Sequence, residues 1–215
     1  MFLTGTELRG SGERYLYAGA LIPLPGDNRL GSGWVQRYWL DGNRYGYDVA
    51  NRSLYGVDSQ RIQATALGME AALGYHVTRG DLLVAGYAGV RHTNTDLSPD
   101  DPGSRVRGAK LWPKLQFELS TPVGPRWESR NIAAWVFGLQ GYWARSRLVY
   151  RTDAGLEVGP ELVVAGDRDF KALKTGFVVG ALQPLPSVTL SLRAGYHFQS
   201  AANSAYLGAD LSIPF

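Results

Sequence analysis

Apolar residues alternate with small or polar ones along most of this chain, and this two-residue period limits what the chain can fold into. Between Thr65 and Val77 the odd positions are mainly large and apolar, whereas the even positions hold alanine, glycine, Glu70 and His76. Similar segments follow one another, separated by turn signals rich in Gly, Pro, Asp and Ser. No helical period appears between them. The pattern predicts an all-β chain.

Eleven alternating segments are visible, and the one at 130–150 changes face parity near Gly141 and Tyr142. Splitting it gives twelve strands, and single-chain bacterial barrels have an even number. Ten strands is the alternative. Pro113 and Pro160 each remove a backbone donor, so we expect a bulge or a strand end at both. The segments lie around 2–8, 13–22, 33–48, 60–77, 82–93, 107–120, 130–150, 155–165, 170–182, 188–199 and 204–215.

The two faces of these segments indicate which side is enclosed. One face carries many Gly, Ala, Ser and Thr residues between charged ones, which suits the interior of a small closed barrel. The other face is large and apolar, as in an outer-membrane barrel with an apolar band and aromatic girdles. We therefore predict one domain, residues 1–215, forming a transmembrane antiparallel up-and-down β-barrel. The rings assigned to the girdles are Trp34, Tyr75, Tyr87, Trp127, Trp135, Tyr150, Phe170, Phe198 and Phe215.

Composition excludes several classes of function. The chain has no cysteine, which removes disulfide frameworks, thiolate metal sites and cysteine nucleophiles. Its net charge of +3 gives no case for nucleic acid as a partner. No apolar run is long enough for a transmembrane helix. The N-terminus lacks the basic and apolar regions of a signal peptide, so we expect a mature form if the protein is exported.

The last segment ends on an aromatic residue, with Leu211 and Ile213 alternating before Phe215. This ending is similar to the C-terminal signal that the β-barrel assembly machinery reads in outer-membrane proteins. We therefore predict an assembly signal at Leu211, Ile213 and Phe215 and a location in the bacterial outer membrane. An even number of strands would leave both termini in the periplasm.

Parity also predicts which charged side chains face the lumen. Arg145 and Arg147 share a face, and Glu157 and Glu161 lie on the following strand, so we expect a salt-bridge ladder across this hairpin. The predicted lumenal charges either pair with one another and fill the interior, or line a polar path for a glycan. The predicted lumenal network comprises Lys110, Lys114, Glu118, Arg145, Arg147, Glu157, Glu161 and Arg193. Parity adds Glu70, His76, Lys174, His197 and Asp210 to the lumenal face.

Inward-facing aromatic side chains are candidates for stacking on sugar rings. Sugars bind proteins through hydroxyl hydrogen bonds and through contact with aromatic faces. Four residues lie on or near the lumenal face and are predicted to stack on a glycan: Trp39, Trp112, Trp143 and Tyr206.

Four short motifs carry a resemblance to a known family. They are Gly33-Trp34-Val35-Gln36-Arg37-Tyr38-Trp39, the acidic loop Asp96-Leu97-Ser98-Pro99-Asp100-Asp101-Pro102, Tyr142-Trp143-Ala144-Arg145-Ser146-Arg147, and Gly159-Pro160-Glu161. Together with the segment order and the last strand, they resemble the bacterial cellulose biosynthesis S protein family, BcsS. The resemblance implies an outer-membrane barrel accessory to cellulose synthesis and secretion, with no catalytic residues to transfer. The implied partners are outer-membrane lipids, the β-barrel assembly machinery, cellulose or another glycan, and a cellulose secretion complex.

Three other functions remain open at this stage. One is an oligosaccharide-specific porin, and another is a soluble ligand-binding barrel. The third is a lipid-modifying enzyme, for which His197 near Ser200 is the only hint; the inward direction of His197 and the lack of a Gly-x-Ser-x-Gly elbow argue against it. The acidic loop at 96–102 lacks the spacing of a known calcium cage. We therefore expect no enzyme activity, metal or cofactor.

Overall fold

The computed structural model describes residues 1–53, 56–168, 171–199 and 203–214, of which 50–53 and 56–59 are described by their backbone. Twelve antiparallel strands form a closed barrel in which each strand pairs with its neighbours in sequence. The predicted up-and-down topology and the count of twelve are confirmed. The strands are β1 Phe2–Arg9, β2 Arg14–Pro23, β3 Gly33–Ser53, β4 Gly56–Arg79, β5 Leu82–Ser98, β6 Gly108–Pro122, β7 Trp127–Val136, β8 Gly141–Arg151, β9 Glu157–Gly166, β10 Lys171–Leu185, β11 Val188–Gln199 and β12 Ser204–Ile213.

The parity change in the segment 130–150 marks a real strand boundary. β7 ends at Val136, a turn covers 137–140, and β8 begins at Gly141. The extra boundary completes the even strand count.

The two prolines stay within strands, and no bulge forms at either. Pro113 lies one residue beyond the last β6–β7 pair, Lys114↔Val136, so its missing donor coincides with a ladder end. At Pro160 the β8–β9 pairing is interrupted between Arg147↔Glu161 and the pair Tyr150↔Val158 without a change of register. At Pro113 the prediction of a strand end therefore holds for the β6–β7 pairing alone. At Pro160 the strand continues, and only the β8–β9 pairing is interrupted.

The side chains divide by parity into an outward and an inward set, as predicted. Outward Phe177, Leu207 and Leu111 are 69%, 66% and 62% exposed, while charged residues on the opposite face are buried. A large apolar exterior around a charged interior is the arrangement expected of a barrel in lipid. Among the described residues, none belongs to a helix long and apolar enough to cross a membrane.

Aromatic rings gather at both ends of the outer surface. We call the end that holds both chain termini the terminal rim, and the opposite end the distal rim. Ring pairs at the terminal rim are Trp34–Tyr75 and Trp127–Tyr150, and those nearer the distal rim are Trp135–Tyr142 and Tyr196–Phe198. The girdle assignment is wrong for Tyr87, which is 4% exposed and points inward. Phe170 and Phe215 lie outside the described residues.

The barrel closes through its first and last strands. Phe2 pairs with Ile213 and Arg9 with Tyr206, in an unbroken register of eight residue pairs. Closure removes the open edges that a sheet would otherwise present to lipid. Leu211 and Ile213, two of the three predicted assembly-signal residues, lie in this seam.

A two-stranded ribbon extends beyond the wall at the distal rim. β2 stops pairing with β3 at Arg44, and β5 stops pairing with β4 at Gln63, so the rest of β3 and β4 pairs only with each other. Tyr47 of the ribbon donates a hydrogen bond to Asp101 at 2.9 Å, which ties the ribbon to the β5–β6 loop. The long strands β3 and β4 thus contribute both to the wall and to a projection.

The lipid-facing surface can be tested with one charge. Leu162 lies midway along β9, pairs on both sides and points outward. We expect Leu162→Arg to lower the free energy of unfolding by about 2–4 kcal/mol, the cost of an arginine near the bilayer midplane. Leu185→Arg, at the end of β10, is the matched control and should cost about 0–1 kcal/mol. Urea titrations in liposomes, followed by heat-modifiable gel migration, measure both; equal costs would contradict the assignment of this face to lipid.

Candidate functional site

Buried ion pairs occupy one half of the lumen and centre on Glu7. Glu7 is 1% exposed and contacts Lys174 at 2.8 Å, Arg193 at 3.1 Å and Arg9 at 2.9 Å. Its partners come from β1, β10 and β11, so one carboxylate joins strands that are not neighbours. Such a buried carboxylate is favourable only with well-placed counter-charges. The Glu7 network comprises Glu7, Arg9, Glu13, Arg147, Glu161, Lys174, Arg193 and Asp210.

The same network crosses the lumen from β8 to β12. Arg147 contacts Glu161 at 2.5 Å and Asp210 at 3.4 Å. Asp210 also accepts a hydrogen bond from Tyr17 at 2.8 Å and lies 3.3 Å from Arg193. Since β8 and β12 are four strands apart in the wall, the Arg147–Asp210 contact spans a chord of the barrel.

The other half of the lumen holds the Glu70 network. Arg37 contacts Glu70 at 2.9 Å and Glu118 at 3.9 Å, and Lys114 pairs with the second oxygen of Glu70. These residues belong to β3, β4 and β6. The neighbouring pair Arg91–Asp41, at 2.7 Å, completes the Glu70 network, which comprises Arg37, Asp41, Glu70, Arg91, Lys114 and Glu118.

Aromatic stacking joins the two networks. The Tyr17 and Trp39 rings stack at 4.5 Å between centroids, and the Arg37 guanidinium lies 4.3 Å from the Trp39 centroid. Tyr17 also holds Asp210, so a continuous chain of contacts runs from Asp210 to Glu70. A third network, the Arg130 network, lies near the terminal rim and contains Glu128, Arg130, Arg151 and Glu157.

The predicted ladder between β8 and β9 forms only in part. Arg147 pairs with Glu161 as predicted, but Arg145 lies opposite Val163 in the β8–β9 register. Glu157 instead binds Arg130 at 2.6 Å. The prediction had the correct face but not the register, because parity fixes the direction of a side chain and leaves its partner across the hairpin undetermined.

Charge balance singles out two cations. Four cations face four carboxylates in the Glu7 network, three face three in the Glu70 network and two face two in the Arg130 network. Lys110 and Arg145 face the lumen but make no ion pair with the residues that the structure describes. The Arg145 guanidinium lies 5.6 Å from the Trp143 ring centroid. The lumen is therefore positive at these two positions.

The four predicted stacking residues differ in accessibility. The Trp39 ring is in contact with the Tyr17 ring on β2 and with the Arg37 guanidinium on its own strand, β3. Tyr206 is 2% exposed, and its hydroxyl donates to Glu161 at 3.2 Å. Trp112 is half-buried and its indole nitrogen is fully buried. The Trp112 ring lies close over Gly138 of the β7–β8 turn, and Trp143 is partly exposed to the lumen.

Sequence reasoning missed several residues that organise the lumen. Glu7 and Arg37 lie on strands whose outward faces also contain polar residues, such as Thr4 and Thr6 beside Glu7, which weakens the alternation there. Leu21 and Val35 were also missed, because apolar residues are not expected inside. They point inward and form an apolar cluster with Ala85 and Tyr87 near the terminal rim; the cluster comprises Leu21, Val35, Ala85 and Tyr87.

Two of the three histidines, His76 and His197, face the lumen. His76 accepts a hydrogen bond from the backbone amide of Gly31 at 3.1 Å and lies 2.6 Å from the Tyr87 hydroxyl. His197 is 1% exposed and points into the lumen, where neither ring nitrogen has a hydrogen-bond partner among the described residues. Its inward direction agrees with the prediction from parity.

The acidic loop uses its carboxylates in contacts within the protein. Asp100 accepts hydrogen bonds from Arg107 at 2.6 and 2.8 Å, and Asp101 accepts one from Tyr47. No cluster of His, Asp and Glu able to hold a metal ion occurs in the part of the chain that the structure describes.

Comparison with known families assigns this barrel to a protein family. The model of the family described as cellulose biosynthesis protein BcsS matches residues 1–215. The chain belongs to the BcsS family. This membership places the protein in cellulose biosynthesis, and it confirms the resemblance carried by the four motifs. No curated protein sequence matches the chain.

Solved outer-membrane barrels share this fold. The KdgM porin in complex with disordered oligogalacturonate has a TM-score of 0.56, 9% identity and 99% coverage of both chains. Outer membrane phospholipase A from Escherichia coli has a TM-score of 0.52, 12% identity and coverage of 100% of this chain and 96% of that one. The β domain of the Bordetella autotransporter BrkA has a TM-score of 0.51 and 13% identity, with coverage of 100% of this chain and 98% of that one. At such identities the likeness concerns the fold alone.

Removing the central carboxylate tests the Glu7 network. Glu7→Gln leaves the charges of Arg9, Lys174 and Arg193 without their shared partner, so we expect a loss of about 3–5 kcal/mol in the free energy of unfolding. Asp48→Asn, which breaks an exposed pair with Arg61, is the control and should cost about 0–1 kcal/mol. Urea unfolding in liposomes measures both losses. Equal losses would show that the lumenal network does not hold the barrel together.

Proposed function

We propose that this BcsS-family barrel acts as an outer-membrane scaffold for cellulose secretion and does not conduct the polymer through its lumen. The observation that carries the proposal is the pair of networks joined by Tyr17 and Trp39, which connects opposite sides of the wall. A glucan chain could pass only if several buried ion pairs separated. Breaking such pairs is expensive, because each leaves a buried charge without a partner.

Both ends of the lumen support this proposal. The apolar cluster around Leu21 and Val35 fills part of the lumen near the terminal rim. At the distal rim, Tyr45 of the ribbon points inward. Burial raises the pKa of its phenol to about 12, and nearby Tyr47, Asp167 and Glu13 add to the rise. Glu13 and Asp167, which lie in different turns of the distal rim, both act on this phenol, so Tyr45 lies near that end of the lumen.

The scaffold would present its two rims to different partners. We infer that the terminal rim, which holds both termini and, apart from the β2–β3 loop, short turns, faces the periplasm and a secretion complex, as is usual for such barrels. The distal rim, with the ribbon and the β5–β6 loop, would then face outside, where cellulose accumulates. The apolar exterior binds the lipids of the outer membrane, and the seam strand β12 carries the proposed signal to the assembly machinery.

Conductance and complementation together test the scaffold. We expect the purified wild-type barrel to show no steady large conductance in planar bilayers, because the lumen is filled. A gene deletion should reduce surface cellulose, and the wild-type chain should restore it. A large conductance that cello-oligosaccharides block would overturn the scaffold in favour of a conduit. Undiminished surface cellulose after the deletion would contradict a role in secretion.

The inferred orientation can be tested with single cysteines, since the chain has none of its own. Ser187 is exposed in the β10–β11 turn at the terminal rim, and Pro102 is exposed in the β5–β6 loop at the distal rim. On intact cells a membrane-impermeant maleimide should label Pro102→Cys and leave Ser187→Cys unlabelled. Both should react after the outer membrane is opened. The reverse pattern would place the termini outside.

An oligosaccharide-specific porin is the second candidate function. The unpaired cations at Lys110 and Arg145 favour it, because a positive lumen attracts acidic sugars. A catalytic role has less support. Among the described residues no histidine contacts a serine or a carboxylate, whereas nucleophilic catalysis needs a base within hydrogen-bond reach of the nucleophile.

A further inference from the structure

We propose that Arg145 and Trp143 form a binding site for one sugar unit of an acidic saccharide, with its carboxylate on Arg145. This inference goes beyond the proposed scaffold, because it names a ligand for the lumen and does not require that cellulose pass through it. The site lies on β8, on the lumenal face.

The first argument is the missing counter-charge. Arg147 and Arg193 are the cations whose charges act on Arg145, and they already pair with the carboxylates around it, Glu161 and Asp210. Adding Arg145 to the balanced Glu7 network leaves one positive charge in excess. An unpaired cation in a largely desolvated position is costly, so an anion from solution would be stabilised there.

The second argument is the geometry of the donors. The register places Arg145 opposite Val163 on β9 and Ile132 on β7, and neither side chain can accept a hydrogen bond. The guanidinium also makes no hydrogen bond with the described residues, so its N–H donors are available to water or a ligand. A planar fork of this kind binds a carboxylate through two parallel hydrogen bonds, which makes a carboxylate the best-fitting anion.

The third argument is the neighbouring indole. Trp143 lies two residues before Arg145, on the same face, and its partners across both ladders are the small residues Ala134 and Ala165. Small neighbours leave room beside the ring, and Trp143 is partly exposed. A sugar ring stacked on the indole would hold its carboxylate towards the guanidinium, which lies 5.6 Å from the ring centroid. An inorganic anion would use only the arginine.

Calorimetric titration of the folded full-length barrel tests the site. The probes are an oligogalacturonate and a cello-oligosaccharide of equal length, with sodium acetate as the small anion. Wild type should bind the acidic oligomer more tightly than the neutral one, and Arg145→Gln should weaken acidic binding about tenfold or more. Arg145→Lys should keep part of the affinity, and Arg61→Gln on the outer ribbon should change nothing. Equal affinities of wild type for the two oligomers, or no effect of Arg145→Gln, would overturn the site.

Two further variants separate the parts of the proposal. Trp143→Leu should weaken oligogalacturonate binding and leave acetate binding unchanged; no loss would contradict the sugar contact. If Lys110→Gln weakens binding as much as Arg145→Gln, the general charge of the lumen is responsible and the Arg145 site is wrong. Heat-modifiable gel migration confirms that each variant is folded. Loss of binding in Arg145→Gln with normal surface cellulose would support the site and count against its use in secretion.

Discussion

Most buried charges in this lumen are paired with a counter-charge, and the structure depends on that pairing. Water cannot solvate Glu7 at 1% exposure, so its carboxylate is surrounded by three cations from three strands. The contacts with Lys174 and Arg193 tie β1 to β10 and β11, strands with which β1 does not pair through its backbone. The lumenal networks thus hold the strands of the wall together from the inside, which is the role that a hydrophobic core has in a soluble β-sandwich.

The exterior has the opposite requirement, since it must present apolar side chains and no unpaired backbone groups to lipid. Large apolar side chains such as Phe177 and Leu207 lie in contact with the surroundings, and backbone groups are satisfied around the closed sheet. Small residues on the inward face leave the space that long charged side chains occupy. Gly5 shows the fit, since a Cβ there would overlap both Asp210 and Tyr17. Membrane compatibility and the filling of the lumen therefore come from the same alternation.

The sequence was sufficient for the architecture and for the direction of most side chains. Glu70, His76 and Arg193 face inward as parity predicts, since a strand sends successive side chains to opposite faces. Tyr87 was misassigned because on β5 the inward residue is the large aromatic one, while Gly86 and Ala88 point outward. A rule based on residue size fails where the lumen itself packs rings.

Partners on strands that are not neighbours could not be predicted, because they depend on barrel closure. The Arg147–Asp210 pair joins β8 to β12, and no spacing within either strand predicts it. Even within one hairpin, the register decides between Arg145 and Arg151 as the residue opposite Glu157, and it selects Arg151. Long-range pairing of this kind requires knowledge of strand number and stagger.

The seam between β1 and β12 has a consequence for how the protein is made. Phe2 belongs to β1 and Ile213 to β12, at opposite ends of the strand order, yet the two residues pair directly. The ring can close only when β12 is available to β1, because no other strand pairs with that side of β1. A truncated product lacking β12 would not be a smaller version of the protein, because Glu7 would lose the strand beside it that bears Asp210.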